Sequence, residues 1–300
     1  MKYLVLTVAS VCFFTFGNAQ NLLNASSPEE FRNLDSLQLQ KVVTNELDPE
    51  DKPIKYPVVA DKDILWSKLV WEVIDLNEEI NQPYKVNIKG LVNSRVSLYE
   101  ALIKGMRMGS ITEVYEDDQF SVKLDQSKLL ERSRVRILSE DGKKWLNANP
   151  GKIVPDKYYD EYVIDNDQVS RFKILGMWYI DKRIGELRYR LLGIAPMGPD
   201  VNVLAESGEK DYVDLFWVWY AGARETLHQF KVFNPANSAS KISFEDMLTA
   251  RRFSSLIYKI ENKRDETFSR AYPEDADAQI EAAIKFREEL VNREGDLWAY

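Results

Sequence analysis

The chain has 300 residues, of which 45% are hydrophobic and 29% are charged, and an excess of acidic side chains gives it a net charge of −8. This acidic balance argues against nucleic acid and anionic membrane surfaces as partners, because lysine and arginine supply most of the affinity for phosphates. With 12% aromatic residues, disorder over most of the length is not expected. Length and composition therefore indicate a folded protein with a sizeable core.

Residues 1–19 have the organisation of a secretory signal peptide. Lys2 gives a positive start, the stretch 3–16 is apolar, and the small residue Ala19 suits the position before a cleavage site. The apolar stretch is shorter than the roughly 20 residues that cross a bilayer as a helix. We therefore expect this segment to direct export and to be removed.

The cysteine usage agrees with export. Cys12 is the only cysteine, and it lies inside the apolar stretch of the predicted signal peptide. The mature chain is then expected to have no disulfide, no thiolate metal site and no cysteine nucleophile.

Residues 20–60 are predicted to form an N-terminal arm. Ser27 can cap a helix that runs to Leu47, with a proline and a glutamate at the positions that a capping box favours. The segment 48–57, DPEDKPIKYP, places three prolines among charges, which disfavours both a helix and a central strand. We expect a helix on an extended linker, followed by an α+β domain over residues 61–300.

The first element of that domain is predicted to be a helix. From Asp61 apolar residues recur at spacings of three and four, which is typical of a helix: Leu65, Leu69 with Val70, and Val73 with Ile74. The helix is expected to end before Pro83.

Further helices are predicted from capping residues and apolar spacing. Ser97 begins a capping box, and Ser243 caps a later helix. The last helix is charged and amphipathic, with Ile280, Ile284 and Val291 on one stripe. These predicted helices span residues 97–106, 223–229, 243–251 and 275–293.

The middle of the chain has the alternation that is typical of β-strands. Residues 171–180 and 187–191 are joined by a turn at 181–185 and are predicted to form a long hairpin. A strand over 212–220 is apolar on both faces, which predicts cover on both sides, and another strand is expected over 255–260. The predicted fold is α+β, a mostly antiparallel β-sheet with packed helices, preceded by the N-terminal arm.

The sequence offers no catalytic, cofactor-binding or metal-binding constellation. The one histidine, His228, lies on a predicted helix without the several nitrogen or sulfur ligands that zinc needs. There is no GxSxG elbow, no GxGxxG and no P-loop, and the acidic clusters at 116–118 and 165–167 lack the pattern of a calcium loop. We therefore expect a protein that is not an enzyme and needs no cofactor.

A hydrolase stays open as a lesser alternative. With 48 acidic residues, some carboxylates will lie in pairs, as a glycosidase requires. Trp217 and Trp219 could serve as sugar platforms, but their strand-like alternation favours packing in a core or an interface.

Four residues are predicted to bind a protein partner, because aromatic and arginine side chains dominate interface energies. They are Trp217, Trp219, Tyr220 and Arg224. A buried core position is the alternative interpretation for the two tryptophans.

Several segments resemble the GldN family of gliding motility proteins, also called PorN. The segments are DILWSKLVWEVIDL at 63–76, GMWYIDKRIGELRYRLLGIAP at 176–196, LFWVWY at 215–220, KVFNPANS at 231–238 and ISFEDML at 242–248. The resemblance covers roughly residues 61–300, and no catalytic residues are assigned in that family.

This resemblance implies a structural role in the type IX secretion and gliding machinery of Bacteroidota. The implied location is the periplasm, in a ring held at the outer membrane by a GldK- or PorK-like lipoprotein. The implied partners are that lipoprotein, other copies in the ring, and the GldL/GldM-type motor through a GldM- or PorM-like periplasmic domain. A stand-alone periplasmic binding module is the main alternative.

Overall fold

The computed structural model describes residues 52–86, 96–232 and 242–298, apart from residues 263, 265 and 274. The predicted signal peptide and the predicted helix from Ser27 to Leu47 lie outside these residues. The described part of the chain confirms an α+β fold with a mostly antiparallel sheet.

The described residues form strands, α-helices and short 3-10 helices. The strands are β1 (Ile64–Asp75), β2 (Val114–Tyr115), β3 (Arg134–Leu138), β4 (Tyr159–Val163), β5 (Arg171–Asp181), β6 (Glu186–Pro199), β7 (Tyr212–Asp214), β8 (Trp217–Trp219), β9 (Lys231–Val232), β10 (Ile242–Ser243) and β11 (Leu256–Ile260). The α-helices are α1 (Gln82–Lys85), α2 (Leu98–Arg107), α3 (Gln126–Ser133), α4 (Glu140–Ala148), α5 (Val201–Ser207), α6 (Tyr220–Gln229), α7 (Phe244–Thr249), α8 (Phe268–Ala271) and α9 (Ala276–Trp298). The 3-10 helices are Asp61–Asp63, Glu79–Asn81, Asp156–Tyr158 and Asn166–Gln168.

The main sheet has seven strands in the order β11-β1-β5-β6-β8-β2, with β7 also paired to β6. Every one of these pairs is antiparallel. The predicted hairpin is confirmed as β5 and β6, and its turn closes with Gly185 at a φ of 65°, where a glycine avoids side-chain strain. Strands β3 with β4 and β9 with β10 form two small separate sheets.

The predicted helix from Asp61 to Pro83 is wrong, because most of this segment is strand β1. This strand lies between β5 and β11. Its consecutive residues Val70 and Trp71 are buried in different apolar clusters, one on each face of the sheet. The residues used for the helix prediction form two sets with four-residue spacing, one at 65, 69 and 73 and the other at 70 and 74, and four is a multiple of the two-residue repeat of a strand. An interior strand that is covered on both faces therefore has the same apolar spacing as one face of a helix.

The single strand predicted over residues 212–220 is divided in two. β7 pairs with β6 as Met197 opposite Asp214, whereas β8 pairs in a register that differs by one residue, with Gly193 opposite Trp219. This one-residue shift at 215–216 has the character of a β-bulge. The predicted cover on both sides is confirmed, since residues 215–218 are all buried, but Tyr220 begins α6 instead of ending the strand.

The predicted helices at 97–106 and 243–251 are confirmed as α2 and α7. Ser97 accepts a hydrogen bond from the Glu100 amide, and Ser243 forms a capping box with Asp246. The helix predicted at 223–229 is confirmed as α6, which starts three residues earlier. The strand predicted at 255–260 is confirmed as β11.

The last helix is confirmed as α9, but a different stripe of it packs on the protein. Ala283, Phe286 and Leu290 are buried against Val70 and Ile257 of the sheet. The residues of the predicted stripe are instead 49%, 50% and 68% exposed: Ile280, Ile284 and Val291. The apolar periodicity correctly predicted a helix, but the face of α9 that packs against the sheet is the one next to the predicted stripe.

The main core lies between one face of the sheet and helices α2, α6 and α7. A smaller apolar cluster on the opposite face contains Trp71, Leu175, Ala195 and Trp217. Among the helices that the structure describes, none combines the length and the apolar composition required to cross a membrane. Where β8 continues into α6, the chain crosses from the smaller cluster to the main core. The predicted partner-binding residues lie at this crossing.

Candidate functional site

The four predicted partner-binding residues fall into two groups. Trp217 and Trp219 lie on β8 and contact the ring of Phe120. Tyr220 and Arg224 lie on α6, where both contact Glu245 of α7. A role of these four residues in partner binding stays a prediction, and the geometry of each group defines what it can do.

The first group is an aromatic cluster around Phe120. Its ring meets those of Tyr115, Trp217 and Trp219 edge-on, with centroids 5.4, 6.1 and 4.9 Å away. Gly193 makes room for it, since a Cβ there would lie 2.4 Å from the Phe120 ring. Phe120 itself has a φ of 54°, an uncommon conformation for a bulky residue.

The Phe120 loop is held by Asp117. The Asp117 carboxylate accepts hydrogen bonds from the amides of Gln119 and Ser121 and from the Ser121 hydroxyl, at 2.8, 3.1 and 2.6 Å. These bonds, led by that of the hydroxyl, lower the pKa of Asp117 below its usual range. The loop thus holds the strained residue Phe120 against Trp217 and Trp219, the two tryptophans that are predicted to bind a partner.

Trp217 is buried in this cluster and donates its indole N–H to Asp214 at 3.3 Å. Trp219 is only half-buried, so it has surface available for a further contact. In the described chain Trp217 therefore packs in the core, whereas Trp219 lies at the edge of the cluster.

The second group lines a groove that we call the arginine cleft. The cleft has a volume of about 580 Å³ and is bordered by residues 54–57, Arg224 and residues of α7. Arg224 donates through Nε and Nη2 to Oε1 of Glu245, at 2.9 and 2.6 Å, and both side chains are buried. Each buried charge thus has an ionic partner, as burial of charge requires.

Tyr220 ties α6 to α7 beneath this ion pair. Its hydroxyl donates to the Glu245 carbonyl at 3.3 Å and lies 3.4 Å from the Thr249 hydroxyl. Burial raises the pKa of Tyr220 well above its ordinary value. The side chain therefore stays neutral and serves as a packed, hydrogen-bonded support for the cleft.

Residues 52–60, which we call the strap, lie extended along the cleft. Three arginines of the body each donate to a backbone carbonyl of the strap. These bonds join Arg224 Nη2 to Ile54 O at 2.6 Å, Arg190 Nη2 to Pro57 O at 2.8 Å and Arg183 Nη1 to Val58 O at 3.0 Å.

Tyr56 is the side-chain anchor of the strap. The guanidinium carbons of Arg224 and Arg190 lie 3.8 and 4.9 Å from the centroid of its ring, within cation–π range. Burial raises the pKa of Tyr56, against the opposing effect of a hydrogen bond with Thr249. Sequence reasoning missed Tyr56 and Arg190, and the available signal was one aromatic residue in a linker rich in proline and charge.

His228, Glu245 and Asp246 form the group that most resembles a metal site in the described residues, with candidate ligand atoms within 4.8 Å of one another. The same carboxylates already have protein partners, however. Arg224 donates to Glu245, and Asp246 accepts from the amide and hydroxyl of Ser243. The group therefore serves as a hydrogen-bonded anchor for the start of α7.

The sequence profile described as "Gliding motility associated protein GldN" matches residues 59–299. The chain belongs to the GldN family. The resemblance noted over roughly residues 61–300 is thereby confirmed, and the chain is a gliding-motility-associated protein. A comparison with curated proteins found no match.

The match to the GldN family covers the three arginines that bind the strap but only the end of the strap itself. Arg183, Arg190 and Arg224 lie within the matched range, whereas Tyr56 lies before it. In this GldN-family chain, the cleft and the arginines beside it can bind an extended peptide by contacting the peptide's backbone carbonyls and one aromatic ring of the peptide.

Proposed function

We propose that this chain is a structural component of the type IX secretion and gliding machinery. It acts in the periplasm and is held at the outer membrane by a GldK- or PorK-like lipoprotein. The observation that carries this proposal is the family match over residues 59–299. Residues 1–19, read as an export signal, support the location.

In this proposal the chain assembles with the lipoprotein into a ring, which is coupled to a GldL/GldM-type motor through the GldM-like periplasmic domain. Two features of the described residues support a scaffold role. Arg224 with Glu245 and Arg251 with Glu72 are ion pairs whose carboxylates are buried. Each pair holds two parts of the chain in a fixed relative position, and its charged groups are bound to each other. The arginine cleft, in turn, holds a peptide backbone.

A stand-alone periplasmic binding module is the second candidate. The arginine cleft favours it, because a groove of about 580 Å³ is within the size range of small-molecule sites. This alternative predicts a monomer that binds a ligand without a partner protein.

Affinity capture from a native envelope extract tests the proposal. We expect the tagged full chain to recover a GldK-like lipoprotein in a large particle. The matched control is the same tagged chain without residues 1–19, which should remain inside the cell and recover no lipoprotein. A lone monomer from the exported chain would contradict the proposal and would direct the work to ligand screening.

A further inference from the structure

We propose that the strap is exchanged between copies, so that residues 52–58 of one copy bind in the arginine cleft of a second copy. The contacts are those that the structure shows within one chain. This inference rests on the proposed function, because it supplies a contact between neighbouring copies of the ring.

The strap can leave the body without disrupting the sheet. Residues 52–60 contain no strand, and the 3-10 helix Asp61–Asp63 connects them to β1. Release therefore costs the three arginine–carbonyl bonds and the contacts of Tyr56, while the pairing of β1 with β5 remains. A segment of this kind is suited to exchange.

The cleft recognises features that every copy carries. Arg224 of the cleft, with Arg183 and Arg190 of the body beside it, binds backbone carbonyls of the strap, and Tyr56 of the strap supplies an aromatic anchor. A second copy offers the same carbonyls and the same ring, so exchange replaces each contact by an identical one. Exchange of an identical element is a low-cost route to association.

Two large apolar side chains of the strap are uncovered in the part of the chain that the structure describes. Ile54 and Val58 are 88% and 86% exposed, although both are large aliphatic residues. A strap that crosses between two copies would lie against both of them, and these two side chains would be covered. Their burial would favour the exchanged form, because removal of apolar surface from water is the dominant favourable contribution to association.

Strap composition and reach also suit exchange. Pro53 and Pro57 flank the anchor and favour an extended backbone, so a released strap keeps the shape that the cleft binds. From Val58 to Ile64 the chain can span at most about 20 Å when fully extended. The two clefts must therefore lie close together where the copies meet.

Cross-linking between two differently tagged copies tests this exchange. Both copies carry Cys12→Ala, which removes the only natural thiol. One carries Lys55→Cys in the strap and the other carries Ala250→Cys in the cleft, two positions that line the same groove. The two copies are co-expressed in cells and treated with a short bismaleimide. The fraction of copies that becomes covalent heterodimer should equal the fraction of mixed neighbours that random assembly of the two copies predicts.

Two controls define the background. Arg134→Cys with Val163→Cys are paired on neighbouring strands, so they should link within one chain when placed together and should give no heterodimer when placed on separate copies. Tyr56→Ala should lower the internal link of a chain that carries both cysteines and, by the same factor, the yield of heterodimer, because the ring makes the same contacts in either cleft. Tyr56→Phe should keep most of both products, because the ring remains.

A product formed only within a chain that carries both Lys55→Cys and Ala250→Cys would overturn the exchange, as would the absence of any product. Capture of the lipoprotein particle from the same cells tests the proposed function separately. A particle without heterodimer overturns only the exchange, whereas loss of the particle from the unmodified chain overturns the proposed function.

Discussion

Arg251 binds Glu72 with both of its terminal nitrogens, Nη1 to Oε1 at 2.9 Å and Nη2 to Oε2 at 2.7 Å. Glu72 lies in the interior strand β1 with 1% of its surface exposed, and the Ser255 hydroxyl also donates to it. Arg251 follows α7 and adopts a φ of 51°, which is uncommon outside glycine. This pair therefore connects strand β1 to the segment that follows α7, the helix that lines the arginine cleft.

Replacement of Arg251 by alanine is expected to destabilise the protein by about 3–5 kcal/mol, because it leaves the Glu72 carboxylate buried without its cation. Lys144→Ala is the matched control, since Lys144 pairs with Asp141 on the surface and its loss should cost no more than about 0.5 kcal/mol. Urea unfolding measures both variants. Equal losses would show that the Glu72 pair contributes no more than a surface pair.

Gly176→Ala tests the close approach of β5 to a neighbouring side chain. A Cβ at Gly176 would lie 2.1 Å from the Tyr189 hydroxyl oxygen, so the tyrosine must move, at a cost of about 1–3 kcal/mol. Gly222→Ala in α6 meets its nearest atom at 3.6 Å and is expected to be neutral or to stabilise by up to about 1 kcal/mol. Thermal unfolding of the two variants should therefore shift in different directions, and a matching shift would contradict the packing of Tyr189.

Phe286 and Ile284 test which face of α9 packs on the sheet. Phe286→Ala should cost about 3–5 kcal/mol, because its ring is buried beside Val70. Ile284→Ala should change the free energy of unfolding by only about 0.5 kcal/mol, because Ile284 is half exposed. If the two values were reversed in urea unfolding, the stripe predicted from sequence would be the buried one after all.

Tyr220 allows the predicted partner-binding role to be separated from packing. Tyr220→Ala should destabilise by about 3–5 kcal/mol, as for other buried aromatic residues, and Tyr220→Phe by only about 1 kcal/mol through loss of the hydroxyl contacts. Partner capture and melting temperature are measured together for both variants. A fall in both for Tyr220→Ala supports the core role, and weaker capture at an unchanged melting temperature supports direct partner binding.

The stability of the β5–β6 turn should depend on pH through Asp181. Hydrogen bonds from Arg183 lower the pKa of Asp181 from 3.8 to about 2. Because the folded pKa lies below the unfolded one, the stabilising effect is present above about pH 4 and is lost as the pH falls towards 2. Unfolding of the native chain should therefore weaken across this window, and Asp181→Asn should show a shallower decline. An unchanged slope in the variant would contradict this assignment.

Much of the local structure was predictable because its signals act over a few residues. The turn that closes with Gly185 and the alternation of β5 and β6 identified the hairpin. Ser97 and Ser243 identified the starts of two helices, because a cap needs only a side-chain oxygen near the next amides. The family resemblance likewise depends on contiguous segments, and it was confirmed over residues 59–299.

Only the tertiary structure decided the identity of β1, the buried face of α9 and the composition of the cleft. A four-residue apolar spacing suits both a strand and a helix, so the two neighbouring strands decided the conformation of β1. Tyr56 and Arg190 are far apart in sequence, and no local rule pairs them. The sheet turns Arg190 towards the strap and α6 brings in Arg224, because burial of apolar faces fixes where distant charged groups meet.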